Sequence, residues 1–442
     1  MQDFFTPKSI AVIGASKEEN KVGHIIFKNL YKTFKTFAVN LNTKEILGEK
    51  AYPSVKKIKE KIDLAIIAIP AEFVLQAVQQ CGEHDIKHII IVSSGFKEIG
   101  NERLEYELSK LLTKYNIKSI GPNCLGVFDA HSALDSLFLP QEKLTRPKAG
   151  GISFISQSGA VGSAVLDLLA GENVGFAKFI SYGNGTNISE TELLEYLGKD
   201  KQTKVICMYI EGVKEGKKFM DIAKKINKPI IVIKGGKTEQ GAKAAMSHTG
   251  SLAGSYDIYK GAFKQSKIII ADSLDEMFHI AKLFEKLQTP KGKRIQVITN
   301  GGGYGILTID ALGLNNLQLA QMSSTSHAFL KHHVPKLVII SNPMDLVGDV
   351  TNERYGLALN ICAKDKNIDI LLVVVLHQTP LINKQITEVF RKVQGGKPII
   401  VISTGGTTTK EISATLENIN IPVFEFPEEA VHAIKKWLDY YN

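Results

Sequence analysis

Short runs of β-branched and aliphatic residues recur along the chain, and stretches with apolar positions at helical spacing separate them. The first run, Ser9 to Ile13, breaks at Gly14-Ala15-Ser16, and the helical pattern HIIFKNLYK begins shortly afterwards. The other predicted elements are strands at 37–42, 63–70, 88–95 and 118–123 and helices at 72–84 and 101–115. This alternation predicts a doubly wound parallel α/β sheet over residues 1–130, with ligands at the carboxyl ends of its strands.

A second unit with the same alternation follows the Pro-containing connection LTRPKAGG and covers residues 146–290. Its predicted strands are 151–159, 176–183, 205–212, 229–236 and 267–272. Every strand ends in polar or glycine positions, which predicts a flavodoxin-like sheet with a polar rim. The residues expected at this rim are Gln157, Ser158, Asn184, Glu211 and Lys234.

The third unit, residues 293–442, repeats the pattern of the second. RIQVITNGGGYG parallels GISFISQSGAVG, and KPIIVISTGG at 397–406 parallels KPIIVIKGG at 228–236. We therefore predict a duplicated α/β unit. Nothing in the second copy resembles the segment SHTGSLAG of the first, so the special chemistry of that segment is expected in one copy only.

Several side chains of the third unit are weaker candidates for function. Asn300, the glycines 301–303 and the segment 341–348 are expected in ligand-facing loops. His377 follows a buried strand pattern and is a candidate for a substrate contact. His332 and His333 are adjacent and do not share a helix face, so we expect them on the surface rather than at a metal.

Composition limits the classes of function that fit the chain. Its 442 residues carry a formal net charge of +9, from lysines spread along the chain without interleaved aromatics. This distribution favours small polyanionic ligands over nucleic acid, and a solvated lysine-rich surface is the alternative. No signal peptide or apolar run of roughly 18 residues is visible, so we expect a cytoplasmic protein without a membrane span. The four widely spaced cysteines predict neither disulfides nor a zinc site.

The stretch KGGKTEQGAKAAMSHTGSLAG, from Lys234 to Gly254, contains the most distinctive chemistry. A strand ends in a glycine turn, a Lys- and Ala-rich loop or short helix follows, and residues 247–251 are expected to open a new helix. The free N–H groups at a helix start bind phosphate, so an imidazole at His248 could hold a phosphoryl group on nitrogen. The alternative is an N-cap turn with an exposed histidine.

The first glycine turn differs from a nicotinamide dinucleotide site. That site requires G-x-G-x-x-G and an acidic residue about 20 positions later. Here the turn reads Gly14-Ala15-Ser16, and the second strand ends in Asn40 and Asn42. The pattern therefore disfavours NAD and favours a nucleotide with additional phosphate beside Ser16 and Lys21.

Several motifs resemble those of the NDP-forming acyl-CoA synthetases, the superfamily that includes succinyl-CoA synthetase. They are IAVIGAS with KVG, AVNLN, SSGF, GPNCLG and SHTGSLAG. The resemblance extends over nearly the whole chain, and the third unit makes it greatest for α subunits of ADP-forming acetyl-CoA synthetases. It implies a Rossmann-like CoA-binding domain followed by two flavodoxin-like ligase domains, with coenzyme A as a substrate.

In that superfamily the first turn and the lysine after it hold CoA phosphates, while later strand ends line the adenosine and pantetheine. The resemblance therefore implies CoA contacts at Gly14, Ser16, Lys21, Asn40, Pro70, Ser94, Gly95, Phe96 and Asn123. Cys124 either lies near the CoA thiol or is a small buried residue, as free cysteines usually are.

The resemblance also implies a stepwise reaction through acyl phosphate and a phosphohistidine. His248 would take the phosphoryl group and pass it to ADP, and Glu211 matches the carboxylate that orients and stabilises the imidazole. The residues expected to contact phosphate or the acyl group are Gln157, Ser158, Gly159, Asn184, Lys234, Ser247, Thr249 and Gly250.

No ATP-grasp domain remains once the three units are counted. The resemblance therefore implies a separate ATP-grasp β chain that binds ADP or ATP with Mg²⁺, in an α2β2 assembly, and a small carboxylic acid as the other substrate. Lys237 stands where the family often has Arg, and Asn187 where an acidic residue is expected. The alternatives are a ligase for succinate or a larger acyl group, and a non-catalytic CoA-sensing subunit.

Overall fold

The computed structural model describes residues 1–172, 174–249 and 255–441, without the side chains of 245–249. The chain divides into two compact units, Met1–Leu274 and Asp275–Asn442. Among the described residues, the first unit contains two seven-stranded sheets and the second contains a five-stranded sheet. No helix in this part of the chain is long and apolar enough to cross a membrane.

The first sheet has the strand order of a Rossmann fold. Its strands are β1 (Ser9–Ile13), β2 (Lys35–Val39), β3 (Glu45–Ile46), β4 (Glu49–Tyr52), β5 (Leu64–Ile67), β6 (His88–Ile91) and β7 (Lys118–Ile120), and its helices are α1 (Val22–Leu30), α2 (Ala71–Glu83) and α3 (Glu102–Lys114). The order β3-β4-β2-β1-β5-β6-β7 is parallel except for the β3–β4 hairpin. All five residues of β1 are buried, because both faces of a central parallel strand are covered. The predicted doubly wound sheet is confirmed.

The second sheet has the flavodoxin order, extended by a hairpin. Its strands are β8 (Gly126–Asp129), β9 (Leu134–Asp135), β10 (Ala149–Ser156), β11 (Phe176–Ser181), β12 (Val205–Ile210), β13 (Ile230–Lys234) and β14 (Ile269–Ile270). Its helices are α4 (Gly159–Gly171), α5 (Glu190–Lys199), α6 (Gly216–Ala223), α7 (Glu239–Thr249) and α8 (Tyr256–Gln265). The strands run β14-β13-β12-β10-β11, in parallel, and β8 and β9 continue the sheet in antiparallel pairs.

The hairpin β8–β9 joins the two sheets of the first unit. It comes directly after the first sheet in sequence but pairs with β11 of the second, with Lys178 opposite Asp129. The buried Lys178 Nζ lies 3.2 Å from Asp129 and 3.1 Å from Asp200, so its charge is compensated on both sides. One buried apolar cluster also includes Ile90 of the first sheet and Ile155 of the second. These contacts make residues 1–274 a single unit, where the sequence alternation predicts two.

The second unit repeats the flavodoxin order. Its strands are β15 (Ile295–Thr299), β16 (Met344–Asp345), β17 (Ile370–Val374), β18 (Ile399–Ile402) and β19 (Val423–Phe424), in the order β16-β15-β17-β18-β19 and all parallel. Its helices are α9 (Leu274–Lys286), α10 (Gly302–Leu314), α11 (Ser324–His333), α12 (Asn352–Lys364), α13 (Ile386–Arg391), α14 (Thr407–Asn418) and α15 (Pro427–Tyr440). The predicted duplication of a flavodoxin-like unit is confirmed.

Helix α9 packs within the second unit, although the sequence analysis assigns residues up to 290 to the preceding domain. The Lys282 Nζ donates a 2.9 Å hydrogen bond to the Val423 carbonyl and lies 3.1 Å from Glu417. Lys286 lies 2.8 Å from the same carboxylate. These buried ion pairs connect α9 with α14 and β19.

Candidate active site

The carboxyl ends of strands from both sheets of the first unit border one cleft of about 770 Å³. Parallel strands place their carboxyl ends at one edge of a sheet, which is where doubly wound folds bind ligands. The residues predicted from the sequence that line this cleft are Gly14, Ser16, Lys21, Asn40, Pro70, Ser94, Asn123, Cys124, Gln157, Ser158, Gly159, Asn184 and Glu211. The cleft thus joins the predicted CoA contacts of the first sheet to the predicted phosphate and acyl contacts of the second.

Two glycines allow helix α1 to start directly against the turn that follows β1. Gly14 has a φ of +97°, and a Cβ there would lie 2.2 Å from the Ala68 carbonyl oxygen. A Cβ on Gly23 would lie 1.9 Å from the Gly14 carbonyl oxygen. No side chain larger than hydrogen fits at either position without displacing the backbone. The resulting turn leaves room for a phosphate group to approach main-chain N–H groups.

The polar side chains beside this turn differ in their freedom. Lys21 precedes α1, and its side chain is 62% exposed with Nζ 3.8 Å from Glu18. So exposed a pair contributes little energy, which leaves the ammonium group available to an anionic ligand. The Ser16 Oγ accepts a 3.0 Å hydrogen bond from the Glu18 N–H. The Asn40 amide nitrogen donates at 2.7 Å to the Ala15 carbonyl, so this side chain shapes the rim from the opposite side.

Cys124 lines the cleft, but its thiol is already engaged. The Sγ donates to the Ile91 carbonyl at 3.3 Å, and only 3% of the residue is exposed. Burial raises the pKa of this thiol to about 12, so it is not a thiolate near neutral pH. The neighbouring Asn123 has a φ of +58° after the cis Gly121–Pro122 bond. Of the two alternatives for Cys124, the structure supports the small buried residue.

Two of the predicted CoA contacts do not line the cleft. Phe96 is fully buried in the core of the first sheet, and the Gly95 N–H donates to Glu98 at 2.6 Å. The cleft is lined instead by Glu98, whose other carboxylate oxygen accepts a 2.7 Å hydrogen bond from Asn184. Burial opposes ionisation of Glu98, but hydrogen bonds from Asn184 and Gly95 outweigh it and hold its pKa below the usual range.

Asn184 connects the two sheets rather than presenting its amide to an anion. Its Nδ2 donates to Glu98 at 2.7 Å and to Glu105 at 2.8 Å. Its Oδ1 lies 3.4 Å from the Asn123 amide nitrogen. The Lys214 Nζ donates to the Asn184 carbonyl at 3.1 Å. Asn184 also lines the cleft, and the phosphate or acyl contact at this position stays a prediction.

Glu211 lies at the end of β12, and its two carboxylate oxygens differ in their surroundings. The residue is 7% exposed and lines the cleft. Its Oε1 accepts a 3.3 Å hydrogen bond from the Tyr209 hydroxyl, and burial together with this carboxylate raises the pKa of Tyr209 to about 12. Its Oε2 is buried and has no hydrogen-bond partner among the described residues. A buried carboxylate oxygen without a donor is costly, so this atom is suited to accept an N–H from a further group.

Lys234 is buried behind the cleft rather than in its lining. Its Nζ donates to the Gly235 carbonyl and lies 4.7 Å from the centre of the Tyr259 ring. Burial lowers the pKa of this lysine, and the charge of Glu211 opposes that change. The phosphate contact at this position stays a prediction from the sequence. The position supplies a positive charge that acts on Glu211.

The prediction that His248 starts a helix is wrong. Helix α7 runs from Glu239 to Thr249, so the backbone of His248 belongs to its last turn, and the next helix starts at Tyr256. The Thr238 Oγ1 accepts a 3.1 Å hydrogen bond from the Gly241 N–H and supports an earlier helix start, and the Ala- and Lys-rich sequence favours its continuation. The side chains of Ser247, His248 and Thr249, and Gly250 as a whole, lie outside the described residues.

In the second sheet, the start of α4 borders the cleft. Ser158 is its N-cap residue, and its Oγ accepts a 3.3 Å hydrogen bond from the Val161 N–H. Ser158 and Gly159 both line the cleft. The unpaired N–H groups and the dipole of this 13-residue helix stabilise negative charge at the cleft.

Two departures from the family pattern have local explanations. The Lys237 Nζ lies 2.9 Å from Asp272 and donates to the Asp272 carbonyl at 3.1 Å, which ties the glycine turn to the segment after β14. The Asn187 Oδ1 accepts a 2.9 Å hydrogen bond from the Ser119 N–H of β7. Neither side chain lines the cleft, so both act on the scaffold rather than on its walls.

The second unit has its own polar positions at the strand ends. The Asn300 amide nitrogen donates to the Leu376 carbonyl at 3.0 Å. Both ring nitrogens of His377 are buried without hydrogen-bond partners among the described residues, and burial lowers its pKa to about 4. His332 and His333 occupy the last turn of α11 and are exposed, and His333 stacks on Phe329 with ring centres 4.0 Å apart.

Several residues of the cleft wall were not predicted from the sequence. They are Val22, Gly23, Ala68, Ile69, Val92, Ser93, Glu98, Leu125, Phe138, Ala160 and Gly183. Gly183 could have been found from the sequence, because it is a glycine at the end of a predicted strand. The structure shows why glycine is needed there: φ is +55°, and an added Cβ would lie 2.1 Å from the Asn123 carbonyl oxygen. Within the described ranges there is no group of three His, Cys, Asp or Glu side chains suited to a metal ion.

Three family models together match most of the chain. A model described as a CoA binding domain matches residues 8–130. A model described as a succinyl-CoA ligase like flavodoxin domain matches residues 149–284, and a Ligase-CoA domain model matches residues 295–437. The first two models cover the residues that line the cleft, with the exception of Phe138.

Relatives of known activity match over the full length of the chain. It is 39% identical to the acetate–CoA ligase [ADP-forming] II subunit alpha of Pyrococcus furiosus, over 97% of this chain and 95% of that protein. It is 42% identical to the acetate–CoA ligase [ADP-forming] I of Archaeoglobus fulgidus, over 98% of this chain and 63% of that protein. More than a third of the Archaeoglobus protein therefore lies outside the matched region.

A solved structure shares the whole fold. The dinucleotide forming acetyl-coenzyme A synthetase 1 of Ca. Korarchaeum cryptofilum, in complex with phosphate and ADP, aligns with a TM-score of 0.93 at 35% sequence identity. The alignment covers all of this chain and 96% of the other. The similarity therefore extends over both units of the chain.

Proposed function

Because this chain belongs to the family of ADP-forming acetate–CoA ligases, we propose that it is the α-type subunit of such an enzyme. The proposed reaction converts a small acyl-CoA, ADP and phosphate to the carboxylic acid, CoA and ATP, and it is reversible. One observation carries the proposal. A glycine turn suited to the phosphates of CoA and the half-satisfied carboxylate of Glu211 border the same cleft.

In the proposed first step, a phosphate oxygen attacks the carbonyl carbon of acyl-CoA. The carbon–sulfur bond breaks, acyl phosphate forms and the CoA thiolate leaves. Lys21 and the turn at Gly14 would hold the phosphates of CoA. The start of α4 at Ser158 supports the second half of the site, because its N–H groups favour the phosphate and the charge that develops on it.

In the proposed second step, a ring nitrogen of His248 attacks the phosphorus of acyl phosphate. The bond from phosphorus to the acyl oxygen breaks and the carboxylic acid leaves. Glu211 would accept the N–H of the other ring nitrogen, which selects the nucleophilic tautomer and stabilises the cationic ring. The unpartnered Oε2 of Glu211 supports this role. The phosphohistidine would then transfer its phosphoryl group to ADP.

The charges of the cleft favour an acyl group without a second carboxylate. Lys21 is the cation among the described residues that line it, and it stands beside the turn proposed for CoA phosphates. The acidic lining residues, Glu98 and Glu211, would repel a dicarboxylate. We therefore propose acetate or another small monocarboxylic acid as the substrate, rather than succinate.

The final transfer requires a nucleotide site on a partner. We propose an ATP-grasp β chain that binds ADP or ATP with Mg²⁺, in an α2β2 assembly. The name of the Pyrococcus relative, a subunit alpha, and the greater length of the Archaeoglobus relative support a further component. The cytoplasmic location stays a prediction from the sequence.

Phosphopeptide mapping tests the relay directly. The purified chain is exposed briefly to acetyl phosphate labelled on phosphorus, and we expect an acid-labile, base-stable label on His248. His248→Ala should abolish the label and retain CoA binding, because the change removes the nucleophile and leaves the first sheet intact. A label on another residue, or an unchanged label in His248→Ala, would falsify the relay.

A further inference from the structure

The side chain of Gln157 holds the main chain at Glu211. Its Oε1 accepts a 2.7 Å hydrogen bond from the Glu211 N–H and a 3.4 Å hydrogen bond from the Gly212 N–H. Because both groups that face this atom are donors, the amide must present its oxygen to them. In addition, the Gln157 N–H donates at 3.0 Å to the carbonyl of Tyr209, on the same strand end. Gln157 thus closes the end of β12 from the neighbouring strand β10.

The second unit contains the same device without the carboxylate. Strand pairing aligns Ile155 opposite Met208 in the first copy and Ile298 opposite Val373 in the second. Asn300 therefore corresponds to Gln157, and Leu376 to Glu211. The Asn300 Oδ1 accepts a 2.9 Å hydrogen bond from the Leu376 N–H. An amide that binds the main chain at this position is thus part of the scaffold, independent of the side chain it holds.

We propose that Gln157 is a positioning residue for Glu211, acting through its amide oxygen on the main chain. This inference rests on the proposed function. Gln157 holds the main chain of Glu211, and the Tyr209 hydroxyl holds its Oε1. Together these two contacts set the direction in which Oε2 points. Loss of the Gln157 contact frees the segment after β12, and the carboxylate no longer meets the imidazole at one geometry. The alternative role, direct binding of phosphate by the amide, leads to different kinetics.

The test is the rate of His248 labelling by acetyl phosphate in the full chain. Gln157→Met keeps the length of the side chain and removes its hydrogen bonds. A positioning role predicts labelling slower by up to about 100-fold, with an unchanged half-saturating concentration of acetyl phosphate. A phosphate-binding role predicts a higher half-saturating concentration. Gln79→Met, the same change on the exposed face of α2, is the matched control and should label at the wild-type rate.

A double-mutant cycle separates the two roles further. If Gln157 acts through Glu211, adding Gln157→Met to Glu211→Gln should slow labelling by less than about threefold more. An equal loss in both backgrounds would overturn the proposal, as would a wild-type rate in Gln157→Met. Absence of label from the wild-type chain would instead refute the proposed function itself.

Folding is checked by CoA binding in each variant. If Gln157→Met no longer binds CoA, Gln157→Leu repeats the test, because it also lacks the amide and has a smaller side chain. Loss of CoA binding in both variants would assign Gln157 to the stability of the unit and overturn the positioning role. Retained CoA binding with slow labelling is the expected result.

Discussion

The two flavodoxin-like copies share a scaffold and differ in what it carries. In both, an amide after the first strand binds the main chain at the end of the neighbouring strand, Gln157 to Glu211 and Asn300 to Leu376. In both, a hydroxyl one residue earlier donates to the carbonyl two positions ahead, at 2.6 Å from Ser156 and 3.0 Å from Thr299. These shared contacts hold the strand ends together in both copies and therefore do not account for a chemical difference between them.

The differences between the copies lie at the positions that the shared contacts hold. Glu211 in the first copy is replaced by Leu376 in the second, and Gly212 by His377. The leucine packs against the glycine turn, where a Cβ on Gly301 would lie 2.5 Å from its Cδ1. Among the described residues, the first copy therefore has a carboxylate oxygen without a hydrogen-bond partner, and the second copy has an apolar contact in the same place. The two copies thus share the main-chain contacts at the strand end and differ in the side chain of the residue that these contacts hold.

The largest expected effect comes from removing the charge that distinguishes the copies. Glu211→Gln keeps the shape of the side chain and removes the charge that orients and stabilises the imidazole. We expect labelling of His248 by acetyl phosphate to slow by roughly 10²–10⁴-fold, with CoA binding unchanged. Rapid-quench measurement of the label gives this rate.

The converse substitution tests whether the carboxylate alone makes the difference. Leu376→Glu places a carboxylate on the second scaffold, where no histidine segment follows the equivalent strand. It should leave the pattern of labelled residues unchanged and destabilise the second unit, because the charge replaces an apolar contact. A labelling rate in Glu211→Gln close to that of the wild type would contradict the proposed pairing of Glu211 with His248.

An intermediate effect is expected at the glycine turns. A Cβ on Gly235 would lie 2.9 Å from the Tyr209 hydroxyl and 3.4 Å from the Glu211 Cγ. A Cβ on Gly405, in the second copy, would lie 2.3 Å from the Thr409 Oγ1. Both Gly→Ala changes should lower the free energy of unfolding by about 1–3 kcal/mol through overpacking. Only Gly235→Ala should also slow labelling, since the added methyl group displaces Glu211 and the Tyr209 hydroxyl that donates to it.

Thermal unfolding and the labelling assay check this pair of variants. Gly216→Ala is the control, because no atom lies within 4 Å of a Cβ built there. It should change neither unfolding by more than a few tenths of a kcal/mol nor labelling. Equal loss of labelling in Gly235→Ala and Gly405→Ala would show that general destabilisation, rather than displacement of Glu211, causes the effect.

The smallest effect near neutral pH is expected at the position of Gly212 and His377. Burial lowers the pKa of His377 from its usual 6.5 to about 4, so the folded chain keeps this ring neutral. The unfolded chain gains a proton near pH 6.5 that the folded chain does not. His377 therefore lowers the free energy of unfolding as the pH falls from 6.5 towards 4, and this contribution is absent above that range.

Urea denaturation at several pH values measures this contribution. His377→Asn should reduce the slope of stability against pH between 6.5 and 4, with the difference from the wild type largest at the acid end. His279, whose pKa burial also lowers to about 4, remains in both chains and serves as an internal reference. Identical slopes in the two chains would show that His377 is protonated in the folded state as readily as in the unfolded one.

The strands were predictable because their residues are apolar on both faces. The pattern at 205–212 predicts a strand, and β12 spans Val205–Ile210 with five of its six residues buried. The glycine turns were also predictable, since the sequence alone shows that the first strand breaks at Gly14. The end of α7 was not predicted correctly. Residues 247–251 have the types that start a helix, but the residues before His248 favour helix, and α7 continues through His248.

The roles of single polar residues at the rim were less accessible. Asn184 and Glu211 look alike in sequence, as polar residues after strands. In the structure the amide of Asn184 donates to Glu98 and Glu105, from the segments around the first sheet, whereas one oxygen of Glu211 has no hydrogen-bond partner in the described part of the chain. Their partners are distant along the chain, so no local pattern distinguishes them.

The architecture and the duplication follow from the sequence alone, because hydrophobic periodicity and glycine turns are local properties that each strand and helix expresses with its own residues. Just over half of the described residues that line the cleft were also predicted from it. Which polar groups remain available is visible only in the folded chain. That outcome depends on hydrogen bonds between segments far apart in sequence, such as Gln157 with Glu211 and Cys124 with Ile91, and on burial that raises the energy of every polar atom left without a partner.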